Sequence, residues 1–193
     1  MQFSKKVFMT IKEKIIDIWG LNNLQQIPKE NLPKIKLSNS TKEMLNLGLP
    51  KGELLYGVTF ELQSYLLTLK EYFEKNNKFD ISNADKYYRI GYVDDRSICI
   101  RIKDETIWEV DQFGDSVTYL NINLEALLKF LCIIYSEIEE KYSDDDDKNA
   151  ELIATEIEKK FLVVDAKALE DENIWSFAVE EIGYGIWGLN IDS

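Results

Sequence analysis

Tyr87–Asn121 reads YYRIGYVDDRSICIRIKDETIWEVDQFGDSVTYLN. Within it Ile98, Ile100 and Ile102 alternate with Ser97, Cys99 and Arg101. A period of two turns successive side chains to opposite faces of a strand, so 97–102 is expected as a half-buried strand. Tyr87–Tyr92, Thr106–Asp111 and Ser116–Leu120 carry the same β-branched and aromatic bias and are expected as three more strands. Asp94-Asp95, Asp104-Glu105 and Phe113-Gly114-Asp115 separate them, and these residue types favour tight turns. Connections this short join antiparallel neighbours and leave no room for crossover helices.

Outward from this block the period changes to that of a helix. After Asn121 or Asn123 as cap, Leu124, Leu127, Leu128, Leu131, Tyr135 and Ile138 mark one face of a helix ending near Tyr142. Ser143–Lys148 is a charged linker; helices over 149–162 and 173–182 follow, through Ile153, Ile157 and Phe161, then Trp175, Val179 and Ile182. On the N-terminal side, 4–18 is expected as a helix capped by Ser4, with Phe8, Ile11, Ile15 and Ile18 on one stripe. Residues 22–38, with Pro28 and Pro33, read as a connection. Ser40 or Thr41 is expected to cap a helix over Lys42–Leu47 that Gly48 closes. Residues 54–62 alternate Val58, Phe60 and Leu62 and suggest a strand, whereas 63–75 fits helix or strand. Helices, then an antiparallel meander, then helices describe an α+β fold with helices gathered on one face of the sheet. One domain is expected over 1–193, with 1–38 an N-terminal helical extension and 149–193 a C-terminal helical segment.

The 193 residues are 45% hydrophobic and 30% charged, the balance of a globular chain. The two cysteines, Cys99 and Cys132, lie in apolar runs without metal-ligand spacing and read as buried free thiols, which fits a reduced cytoplasm. No continuous apolar stretch resembles a leader or approaches the ~20 residues of a membrane span. Charge is divided: residues 1–51 carry a net +5 and residues 52–193 a net −17. That excess repels phosphate backbones, disfavouring direct nucleic-acid binding, and attracts a basic partner.

The chain contains no histidine, which removes histidine-based nucleophile, acid–base and metal chemistry. Gly183-Tyr184-Gly185-Ile186-Trp187-Gly188 matches a dinucleotide fingerprint in letters, but follows an expected helix rather than a strand. Asp144–Asp147 lacks the alternation, glycine and final glutamate of a calcium loop. Ile18-Trp19-Gly20-Leu21-Asn22 recurs at 186–190 at no repeat-protein period. No cofactor and no metal is expected; a carboxylate-based enzyme is the remaining catalytic possibility.

Leu47-Gly48-Leu49-Pro50 resembles the "GLP" element of the SUKH superfamily, named partly for the yeast Smi/Knr cell-wall regulators. Tyr88-Arg89-Ile90-Gly91 with Ser97-Ile98-Cys99-Ile100 resembles that superfamily's central strand pair, and Val117–Asn121 its strand leading into a helix. Ile122-Asn123-Leu124 departs from the pattern by placing Asn where serine is usual. Leu169-Glu170 with Trp175 is similar to the C-terminal segment of the fourth SUKH immunity subfamily. The resemblance spans about 40–182. It implies an α+β fold and a non-catalytic protein that neutralises a bacterial polymorphic toxin, often a nuclease or deaminase; an intracellular adaptor of the Smi/Knr type is the alternative.

For the partner surface, two acidic patches present themselves. One is the set of sheet turns: Asp94, Asp95, Asp104, Glu105, Asp111 and Asp115, with Tyr92 and Phe113 as aromatic anchors. The other is Glu137–Glu181, where sixteen acidic residues meet five basic ones. The turns are favoured, because a rigid meander pre-positions its carboxylates.

Overall fold

The computed structural model describes residues 9–76, 83–111, 113, 116–141, 149–170 and 172–186. The central block forms the expected meander: β4 (Tyr87–Val93), β5 (Arg96–Arg101), β6 (Ile107–Val110) and β7 (Val117–Asn121), each antiparallel to its neighbour. A short β3 (Thr59–Phe60) joins outside β4, giving the order β3-β4-β5-β6-β7. Asp94 (φ 49°) and Glu105 (φ 62°) supply the left-handed residues of the two tight turns. Between Arg89 and Gly91 the β4–β5 register shifts by a bulge. There the backbone of β3 comes so close that a Cβ at Gly91 would meet the Thr59 carbonyl oxygen at 2.3 Å. Gly91 is thus a packing requirement of the sheet, not turn punctuation.

The sheet is covered on both faces, which corrects the expectation of a half-buried strand with helices on one side. Ile98 and Ile100 face the main core beneath α4 (Leu124–Lys141), α5 (Ala150–Asp165) and α6 (Ile174–Gly183). Cys99 on the reverse face is equally buried, against Leu69 and Phe73 of α3 (Leu69–Lys75) and Val110. The segment 63–75 therefore resolves into a helix, begun by Thr68 in a reciprocal cap with Glu71. The expected strand over 54–62 is mostly irregular: Tyr56 takes φ 54°, which breaks the extended run, and only Thr59–Phe60 pair.

Two N-terminal helices begin elsewhere than expected. α1 runs Ile11–Trp19 and is capped by Thr10 with Glu13 at the third helical position, a cap the sequence carries as Thr-x-x-Glu. The expected cap Ser4 lies outside the described residues. α2 spans Asn39–Leu47 with Ser38 as its cap, two residues ahead of Ser40. The connection between them holds a two-residue strand, β1 (Leu24–Gln25), paired with β2 (Leu49–Pro50). Gln25 links this pair to the large sheet. Its Nε2 donates to the Phe60 carbonyl (2.6 Å), and its Oε1 accepts from the Leu62 amide (2.7 Å).

In the C-terminal half, Asn123 accepts from the Ala126 amide and starts α4 as expected. α5 continues three residues past the expected end at 162, because Asp165 is held inside, accepting from the Tyr119 hydroxyl (3.1 Å) and the Ile122 amide (2.6 Å). Phe130 stacks on Phe161 with centroids 3.7 Å apart, and both meet Trp175 edge-on. This aromatic triad locks α4, α5 and α6 together. α6 in turn sets the position of the site described next.

Candidate partner-binding site

A meander sends alternate turns to opposite ends of its sheet. The expected acidic residues are therefore divided. Asp94 and Asp95, exposed in the β4–β5 turn, share one end with Asp111 and Phe113 of the β6–β7 connection. Asp104 and Glu105 lie at the other. Asp115 falls outside the described residues, as do Asp144–Asp147.

Several of these carboxylates already have tasks within the fold. Asp104 takes two bonds from the Arg101 guanidinium (2.5 and 2.9 Å) and one from the Thr106 hydroxyl (2.7 Å). The Arg101 pairing, with help from Thr106, holds its pKa well below the usual carboxylate range. Glu105 fastens the start of α2, accepting from the Ser38 amide (2.5 Å) and the hydroxyls of Ser38 (2.7 Å) and Thr41 (2.5 Å). Burial pulls its pKa upward, but those bonds outweigh it and leave the value lowered. Asp111 accepts from the Phe113 and Ser116 amides and shapes its own loop. Tyr92 pairs with Ser97 and faces away from α6, its ring 5.5 Å from the Arg89 guanidinium. Phe113 is exposed.

At the Asp94 end, a groove of about 550 Å³ opens between the turn and α6. Its walls carry Asp94, Glu172, Glu181 and Phe177; its floor carries Glu109 and Arg96. Four carboxylates thus face one guanidinium. Glu109 is only 3% exposed, with one oxygen 3.4 Å from Arg96 and the other accepting from the Ile174 amide at 3.4 Å. Burial raises its pKa; the Ile174 amide and Arg96 pull it back, and Asp94 adds to the rise. Phe177 stands 53% exposed beside these charges. The Tyr56 hydroxyl donates to the Ile186 carbonyl (3.0 Å) and holds the chain after α6 along the groove, with Tyr184 and Ile186 exposed. An acidic cleft with an aromatic wall is suited to a basic, partly apolar surface.

Sequence reasoning named Asp94 from this groove and placed Glu172 and Glu181 within the second acidic patch. It missed Glu109, Arg96 and Phe177. A signal for Glu109 was present: in the paired register it lies opposite Ile98, so its carboxylate points to the core side of β6. A charged residue at an inward strand position needs a partner or an opening.

Among the described residues no helix is long and apolar enough to cross a membrane, and no group of His, Cys, Asp or Glu is placed to hold a metal ion. The partial fingerprint at Gly183–Gly185 lies at the end of α6, not between a strand and a helix. No curated protein and no solved structure matches the chain. A family model does: SUKH-4 immunity protein, over residues 11–181, from the first residue of α1 to the last turn of α6. The match takes in every element that builds the groove, and the chain belongs to the SUKH-4 immunity protein family, which carries immunity against a toxin.

Proposed function

We propose that this chain neutralises its toxin by seating a basic surface of it in the groove between the β4–β5 turn and α6. The observation that carries this reading is the composition of the groove: Asp94, Glu109, Glu172 and Glu181 against Arg96 alone, with Phe177 exposed among them. Long-range attraction from a chain of net charge −12 speeds the encounter, and the groove sets the orientation. Basic clefts are what nucleic-acid-acting enzymes offer to phosphates. A toxin of that kind, a nuclease or a related enzyme, fits the groove, and occupying its cleft would displace its substrate. The protein acts by binding, with no turnover of its own. The buried free thiols of Cys99 and Cys132 support a cytoplasmic place of action.

The test combines Asp94→Asn, Glu172→Lys and Glu181→Lys in one variant and measures its affinity for the cognate toxin by calorimetry. Circular dichroism verifies the fold. Binding is expected to weaken roughly tenfold to a hundredfold, mostly through slower association, with protection of cells lost in parallel. Unchanged affinity in the folded variant would move the interface elsewhere on the molecule.

A further inference from the structure

α5 buries Ile153, Ile157 and Phe161 in the core and turns a different stripe outward. Leu152 is 59% exposed and Val163 87%, with Leu162 exposed beside it. Between them on the same stripe lie Glu156 and Lys159, joined by a 2.8 Å ion pair. The steps from Leu152 to Glu156, to Lys159 and to Val163 are four, three and four residues. Steps of three and four keep these residues on one face of the helix, a seam along which a second helix can pack side by side.

The order of residues on the seam decides the partner. Reversed, Leu-Glu-Lys-Val becomes Val-Lys-Glu-Leu. A second α5 laid antiparallel, with the two-fold axis between residues 157 and 158, sets Leu152 opposite Val163 and Glu156 opposite Lys159. It does so twice, as a two-fold interface requires. The intrahelical pair then becomes half of a four-membered ring of alternating charge. A parallel arrangement would set Glu156 against its own copy. We propose that α5 is a self-association surface whose occupant is the α5 of a second copy of this chain.

The size of the seam fixes the character of the dimer. Sixteen residues of helix span about 24 Å, and a single helix pair of that length falls short of the ~800 Å² per partner of a stable complex. The association is therefore weak and reversible, populated where the protein is concentrated. None of the seam residues lines the acidic groove.

Sedimentation of the full chain across a series reaching millimolar concentration tests this directly. The wild type is expected to shift from monomer to dimer. Val163→Glu, at a position open to solvent, is expected to weaken dimerisation by more than about tenfold without loss of helix. Glu156→Lys and Lys159→Glu alone should each weaken it, and the two together should restore it to within about threefold, because the swap preserves every opposite-charge contact. A wild type that stays monomeric overturns the proposal. So does Val163→Glu that dimerises normally, or a folded double swap that fails to recover.

Discussion

The side-chain nitrogen of Asn173 donates to the carbonyl of Tyr119 at 3.0 Å, while the oxygen of the same carboxamide accepts the Trp175 amide at 2.9 Å. One buried residue therefore starts α6 and anchors it to β7, and the wall of the groove depends on both bonds. Asn173→Ala removes the cap and leaves the Tyr119 and Ala168 carbonyls short of a donor. The expected loss is about 2–4 kcal/mol in urea unfolding, with an unchanged m value. Asn173→Asp keeps the acceptor and still loses both donated bonds, so it should not rescue.

The two ends of the sheet should respond oppositely to substitution. Glu105→Ala takes three hydrogen bonds from the start of α2 and is expected to cost about 1–3 kcal/mol of stability while toxin affinity stays within about twofold. Asp94→Asn tolerates the left-handed backbone and should leave stability nearly unchanged while slowing association. Paired unfolding and binding measurements on the two variants check this. Equal effects of both on affinity would argue against a site confined to one end.

Phe161 joins the stacked pair and the edge contact at the centre of the helical layer. Phe161→Ala is expected to destabilise by about 3–5 kcal/mol in chemical denaturation. Because α6 rests on that cluster, the variant should also lose toxin binding near its lowered melting temperature, and Phe161→Leu should recover most of both.

Glu109 has a folded pKa raised above its unfolded value, so the folded state holds its proton more tightly. The stability this contributes is present below the unfolded pKa and is lost as pH rises through the folded one. Glu109→Gln removes that dependence and retains an acceptor for the Ile174 amide. The stability of the variant relative to wild type is expected to increase with pH across the weakly acidic range, in urea titrations at stepped pH. A constant difference would show that Glu109 titrates alike in both states.

Burial pushes the thiols of Cys99 and Cys132 up to about 12. At neutral pH neither presents a thiolate to solvent. Iodoacetamide should leave the native protein unmodified and alkylate both residues once denaturant is added, as read by intact mass.

The four central strands and α4 were legible because their patterns obey one period each and their turns carry turn residues. The opposite face of β5 was not, because Ser97, Cys99 and Arg101 look like a solvent face until α3 is placed over Cys99. Thr10 and Ser38 were overlooked as caps in favour of later or earlier hydroxyls, although Glu13 marked the first. For the site, the division of Asp94 from Asp104 follows from meander geometry alone. The groove does not: it depends on the aromatic triad and the Asn173 bonds that hold α6 against the sheet, long-range packing that no local window contains.

Gln25 lies outside the large sheet, yet its carboxamide meets Phe60 and Leu62 in the way a neighbouring peptide group would. It acts as a one-residue imitation strand at the β3 margin. Many proteins capture extended segments by lengthening a sheet, and exposed margins also invite chains to join one another. Here that mode of recognition is obstructed at β3 by Gln25. A toxin seated in the proposed groove would instead be read through side chains, and these could change residue by residue without disturbing the register of the sheet.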